Sequence, residues 1–149
     1  MPPRPAEASV TLAPLTLPQP PLTAAQIEAL SPTALAYIGD AVYELHVRSQ
    51  LLWPPLSSKA YHDAVVAQVR AEQQASYIHQ LHSQLTSAEQ DWVRRGRNAA
   101  PRRSRRASAY QQATGFETLL GYLYLTDIGR LTQLLAGLDI QPGPAANAD

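Results

Sequence analysis

Between Thr23 and Leu138 apolar residues recur at three- and four-residue spacing and almost nowhere alternate, so the chain predicts helices and no sheet. Thr23 with Gln26 forms a capping box for a short helix through Leu30. Ser31 followed by Pro32 gives an N-cap and a first-turn proline, opening a helix from Pro32 to about Leu51 that ends before Trp53-Pro54-Pro55. Ser58 is placed to cap a second long segment, KAYHDAVVAQVRAEQQASYIHQLHSQL, with room for one break. Thr86 with Glu89 makes another capping box, and the helix it starts runs into a cluster of arginines. Ala99 to Ala107 reads as a basic loop interrupted by proline. Beyond it YQQATGFETLLGYLYL is helical, with Phe116, Leu119, Leu120 and Leu123 at core spacing, and DIGRLTQLLAGL forms a last amphipathic helix. The fold class expected is all-α, with five or six helices around one core.

The proline-rich start, residues 1–22, has no helical period and reads as a flexible tail, as do residues 140–149; residues 23–139 form the expected domain. A chain of 149 residues supports one domain and one core. With 45% hydrophobic and 16% charged residues it has a globular composition, and having no cysteine it is excluded from disulfide and thiolate chemistry. No stretch approaches the roughly 20 apolar residues of a membrane span, and the first residues lack the apolar core of a signal peptide. A cytoplasmic protein without membrane contact is the expectation.

Net charge is zero, yet seven of the twelve Lys and Arg residues fall in RRGRNAAPRRSRR, at Arg94, Arg95, Arg97, Arg102, Arg103, Arg105 and Arg106, with no acid among them. A neutral chain polarised in this way points to a polyanionic partner. Single-strand binders interleave aromatics with their basic residues, and this stretch contains none, so contact with duplex phosphates is favoured.

Two acids stand out because everything around them avoids water. Asp40 lies in AYIGDAVYE, on a helix that is apolar or small on nearly every face, and Glu117 lies in ATGFETLLGYLYL. Asp is a poor interior helix former, so folding alone does not keep Asp40 there. An isolated buried carboxylate costs several kcal/mol or shifts its pKa, and is therefore expected to have a cation. Gly39 beside Asp40, and Gly121 one turn beyond Glu117, leave backbone where a side chain would stand. If the helices cross at these glycines, two carboxylates face one small cavity suited to Mg²⁺, which takes one or two carboxylates and keeps waters. The plainer alternative is an arginine partner for Asp40, of the kind that Arg48 offers Glu44 at i,i+4. His79 and His82, at i,i+3, have the spacing of metal ligands but no evident third ligand.

AYIGDAVYE, RRGRN and ATGFETLLGYLYL, in this order and spacing, resemble the ribonuclease III family, and within it the small Mini-ribonuclease III members that have the catalytic domain alone. The resemblance covers about Ala24 to Leu138. It implies Asp40 as the catalytic aspartate and Glu117 as the second metal-binding acid, with Asn98 joining the arginines in RNA contact. Full-length members place two further acids, one turn before the aspartate and three residues before the glutamate; here those positions hold Ala36 and Thr114. Ala100 stands where the subfamily commonly has lysine, with Arg102 and Arg103 near enough to supply the charge.

The resemblance implies an all-α enzyme that cleaves double-stranded RNA with Mg²⁺, for which Mn²⁺ substitutes, in maturation of the large-subunit (23S) ribosomal RNA precursor. It implies a homodimer in which each site cuts one strand, and it leaves a ribosomal-protein partner open; the apolar or small residues on nearly every face of the Pro32–Leu51 helix place that helix in or beside the interface. Two alternatives stay beside it. One is a non-catalytic binder of double-stranded RNA; the other is an all-α nucleotide pyrophosphohydrolase, which would ordinarily carry a denser acidic cluster.

Overall fold

A computed structural model describes residue 17 and residues 20–102 and 107–141. Seven α-helices and one 3₁₀ turn are present among them, and no strand: α1 Ala24–Glu28, α2 Pro32–Gln50, α3 Ser58–Val69, α4 Ala71–Leu81, the turn His82–Gln84, α5 Ser87–Ala99, α6 Ala107–Thr126 and α7 Ile128–Ala136. The caps explain most of the starts. Thr23 and Thr86 each accept from the N3 backbone amide while Gln26 and Glu89 reach back, two complete capping boxes. The Ser31 hydroxyl accepts from Ala34 N with Pro32 at the first turn, and Asp127 caps α7 by accepting from Arg130 N.

One detail differs from expectation. Ser57 rather than Ser58 caps α3, its hydroxyl accepting from Ala60 N. The long segment does break, at Arg70, whose φ of −66° and ψ of 154° are extended. No glycine or proline marks this position. The break is held by side chains that take up the carbonyls it strands: the Tyr43 hydroxyl donates to Gln68 O at 2.7 Å and Gln74 Nε2 donates to Val69 O at 2.8 Å.

Helix α6 is the axis of the molecule, and α2, α4 and α5 pack around it. Phe116, Leu119 and Leu120 are fully buried and Leu123 nearly so, as their spacing predicts. Each such side chain contributes roughly 1.5–3 kcal/mol of transfer free energy against the cost of ordering it. Tyr43 meets Phe116 edge-on, ring centroids 5.2 Å apart. Ile140, assigned from sequence to a tail, is buried with this core; residues 142–149 and most of 1–22 lie outside the described residues. A partly buried ion pair ties the start of α5 to α7: Arg130 Nε donates to Glu89 Oε1 at 2.8 Å, and Arg130 Nη2 also donates to Gln84 O.

On α2 the inward face is Leu35, Ala36, Gly39, Tyr43 and Val47. Tyr37, Ile38 and Leu45 are left exposed, so this helix is apolar outside as well as inside. No helix of the described residues is long and apolar enough to cross a membrane.

Candidate active site and nucleic-acid interface

Helices α2 and α6 approach until backbone meets backbone, which only glycine permits. A Cβ placed on Gly39 would lie 1.7 Å from the Glu117 carbonyl oxygen, and one on Gly121 would lie 1.9 Å from that of Leu35. Next to this crossing α2 presents Asp40 and α6 presents Glu117, near enough that the charge of one acts on the other. Asp40 is solvent-exposed, not enclosed as the apolar surroundings in sequence suggest, whereas Glu117 is half-buried.

The electrostatics are those of two acids short of positive charge. Glu117 is pushed up to about 7, first by burial and then by the Asp40 carboxylate, with a hydrogen bond from the Gln74 side chain pulling the other way. Asp40, though exposed, is raised as well, by the water it loses on the side that faces the helices and then by Glu44. The ion pairs among the described residues are Arg48 with Glu44, Lys59 with Asp63, Arg94 with Asp91 and Arg130 with Glu89; neither Asp40 nor Glu117 is in one. Glu44 does pair with Arg48, as read from sequence, which keeps that arginine from serving Asp40. A pair of hard oxygen donors with surplus negative charge fits a divalent cation such as Mg²⁺, held by two carboxylates with water completing the shell. No cluster of three or more His, Asp or Glu of metal-binding arrangement occurs among the described residues, so His79 and His82 gain no third ligand.

The positions that would carry further acids lie nearby and are closed to metal. Ala36 is buried, and Thr114 donates its hydroxyl to Tyr110 O at 3.0 Å. Thr118, fully buried, donates to Thr114 O at 2.7 Å and packs against Gly96 of α5.

The basic segment divides into parts. Arg94, Arg95, Arg97 and Asn98 ride on the last two turns of α5, and Arg102 is exposed beyond its end; Arg103, Arg105 and Arg106 lie outside the described residues. Arg94 and Arg97 line an open groove of about 840 Å³ between α4 and α5, together with His79, His82 and Gln112. Arg95 is engaged elsewhere, its guanidinium carbon 3.8 Å from the centroid of the Trp92 ring, which stacks in turn on Tyr122 at 4.7 Å. Tyr122 is thus packing, not a base platform. Sequence reasoning missed Gln74, buried on α4 with its Nε2 donating to Val69 O; its place at an inward position of an amphipathic helix was the available signal.

Residues 33–127 match the profile of the Ribonuclease III domain. The chain is 57% identical over 122 residues to the Mini-ribonuclease 3 of Synechocystis sp., a match covering 80% of this chain and 85% of that one. It is 54% identical over 121 residues to the Mini-ribonuclease 3 of Synechococcus sp., covering 80% and 88%, and 40% identical over 119 residues to that of Thermoanaerobacter sp., covering 76% and 84%. A crystallised protein of Fusobacterium nucleatum shares the fold at a TM-score of 0.66 and 25% identity, over 74% of this chain and 92% of that one.

Proposed function

The chain belongs to the ribonuclease III family and is an endoribonuclease, and we propose that it cleaves double-stranded RNA with a divalent cation, Mg²⁺ or in its place Mn²⁺, held by Asp40 and Glu117. The observation that carries this reading is the pairing of these two acids at the glycine crossing, both raised in pKa and neither in an ion pair among the described residues. When bound, the cation supplies Lewis acidity at the phosphate and makes a water nucleophilic near neutral pH.

The residues of the chain do the remaining work. The close crossing fixes the two carboxylates relative to each other, so they need little reorganisation to receive a cation. Asp40, on the wet side, faces incoming RNA, while Glu117 anchors the site from the core helix. Arg94 and Arg97 on the groove wall, with Asn98 and Arg102, take backbone phosphates through charge-assisted hydrogen bonds. Arg103, Arg105 and Arg106 extend that positive segment in sequence. Duplex RNA suits such a surface because it is recognised through phosphates, 2′-hydroxyls and shape.

The exposed apolar face of α2, with Tyr37, Ile38 and Leu45, suits a second copy of the chain, and a dyad would set two sites on the two strands of one duplex. The substrate we favour is a structured precursor of large-subunit ribosomal RNA, with a ribosomal protein as a compatible partner, in the cytoplasm.

The test is cleavage of end-labelled duplex RNA with and without Mg²⁺, by the native protein and by Asp40→Asn. Cutting that needs the metal and is lost in the variant, with RNA binding retained, supports the reading. Binding without cutting by the native protein would make it a binder only, and hydrolysis of a nucleoside triphosphate instead of RNA would make it a pyrophosphohydrolase.

A further inference from the structure

The groove between α4 and α5 is not basic in sum, although two arginines line it. Arg94 and Arg97 stand on its α5 wall, but Asp91 is on the same wall, in an ion pair with Arg94, and Glu72 lines the groove from the first turn of α4. Among the described residues of the lining, two guanidinium groups are thus matched by two carboxylates, and α6 adds only the uncharged Gln112. A surface that is neutral in sum gives a polyanion little electrostatic reason to settle there.

Two further side chains can change that balance: His79, in the last turn of α4, and His82, in the 3₁₀ turn that follows. Both line the groove and both are exposed. With Glu72 and Ala75 they follow one another at helical spacing, a stripe separate from the inward stripe of Gln74, Tyr77, Ile78 and Leu81. Alone, such a stripe is an ordinary wet helix face. Its position sets it apart, since it shares one groove with the arginines of α5 and has no third ligand for a metal. Histidine is the side chain whose charge changes in the range of about pH 5 to 8. Neutral imidazoles leave the groove neutral. Protonated, they give it a positive surplus, and each then offers two N–H donors for charge-assisted bonds to phosphate.

Resting on the function proposed above, we propose that His79 and His82 are RNA-contacting residues: the groove takes the sugar–phosphate backbone of one strand between them and the α5 arginines, with both imidazoles protonated. Phosphate at hydrogen-bond distance favours the charged imidazole, so RNA binding and proton uptake reinforce each other.

The experiment is fluorescence anisotropy of an end-labelled RNA duplex titrated with the full-length protein in chelator, at pH 5.5 and pH 7.5 and over a range of salt, with melting curves of every variant. The carboxyls of Asp40 and Glu117 are common to all these proteins and cancel in the comparison. The native Kd should fall about fivefold or more from pH 7.5 to pH 5.5. Its logarithmic salt slope should steepen by roughly 0.7–0.9 for each histidine that neutralises a phosphate. His79→Gln with His82→Gln should lose most of that gain and of the added slope. His79→Lys with His82→Lys, which fixes the charge, should bind at pH 7.5 about as the native protein does at pH 5.5. His62→Gln, at an exposed position of α3 outside the groove, is the control and should keep the native response. Glutamine variants that keep the full pH response and slope would return the stripe to a solvated helix face and overturn the inference. Arg94→Ala with Arg97→Ala separates that result from failure of the underlying reading. If this variant binds as the native protein does at both pH values, the duplex does not lie in the groove and both fall; if it binds more weakly while the glutamine variants do not, only the role of the histidines falls.

Discussion

Gly39 of α2 lies against the backbone of Glu117 in α6, with no room between them for a single carbon atom. The contact joins the residue before the proposed catalytic aspartate to the other proposed metal ligand, so the spacing of the two acids is set by helix packing and not by side-chain conformation. Gly39→Ala should push α2 away from α6, at a cost of about 1–3 kcal/mol or more from overpacking. RNA cleavage should fall further than stability alone explains. Urea denaturation and single-turnover cleavage, both at a temperature where the variant is fully folded, would check this; unchanged cleavage there would show that the crossing does not set the site.

The raised pKa of Glu117 gives a pH dependence with a definite sign. Its folded value of about 7 lies above the ordinary 4.5, so between these two pH values the metal-free folded state holds more protons than the unfolded state. Stability then falls as pH rises through this window, and the penalty is complete above pH 7. With screening on the solvated side of the group the effect is on the order of 1–2 kcal/mol. Glu117→Gln, which carries no charge, should therefore stabilise the metal-free protein at pH 8 and leave it nearly unchanged at pH 4.5. Melting curves in chelator at the two pH values test this, and equal shifts at both would contradict the assignment.

For RNA binding, replacing Arg102, Arg103, Arg105 and Arg106 with Ala should raise Kd and flatten its dependence on salt. The logarithmic slope falls by roughly 0.7–0.9 for each phosphate that the protein no longer neutralises. An unchanged slope would mean that these charges are merely solvated. Arg95→Ala should behave differently: it removes the stacking on Trp92 and should cost about 0.5–1 kcal/mol of stability.

The exposed face of α2 predicts self-association. Ala41 lies on that face and is exposed, whereas Val42 is half-buried and packs against the core, so a charge at Val42 would disturb the protomer itself. Ala41→Glu is the cleaner variant. Sedimentation at micromolar concentration should show a dimer for the native chain and a monomer for Ala41→Glu, with melting temperature little changed at low concentration and cleavage reduced. A fully active native monomer would remove the dyad from the proposal.

What could be read in the sequence was what short-range chemistry writes there. The capping boxes at Thr23 and Thr86, the Ser31-Pro32 start and the core stripe of α6 each depend on residues within a turn or two, and each is present. The break at Arg70 was not locatable, because VVAQVRAEQQAS holds no glycine, proline or side-chain cap there, and the groups that stabilise the break, Tyr43 and Gln74, come from α2 and from beyond it. The two acids were conspicuous as charges in apolar helices. The exposure of Asp40 was not, since a helix apolar on all faces does not say which face stays wet in the protomer. Gln74 was passed over because a glutamine is not counted toward an apolar stripe, so only its register with Tyr77, Ile78 and Leu81 marked it as buried.

Helix α6 is at once the axis of the core and the carrier of Glu117, and this ties the lifetime of the site to that of the whole fold. Proteins open in pieces, and the pieces that open first are those with little buried apolar contact. Phe116, Leu119 and Leu120, on either side of Glu117 in sequence, have no exposed surface at all. The amide hydrogens around Glu117 should then exchange only through global unfolding, on the slowest timescale the molecule has. Half of the proposed metal site has no loosened state to visit short of losing the fold, and any breathing there belongs to the Asp40 side.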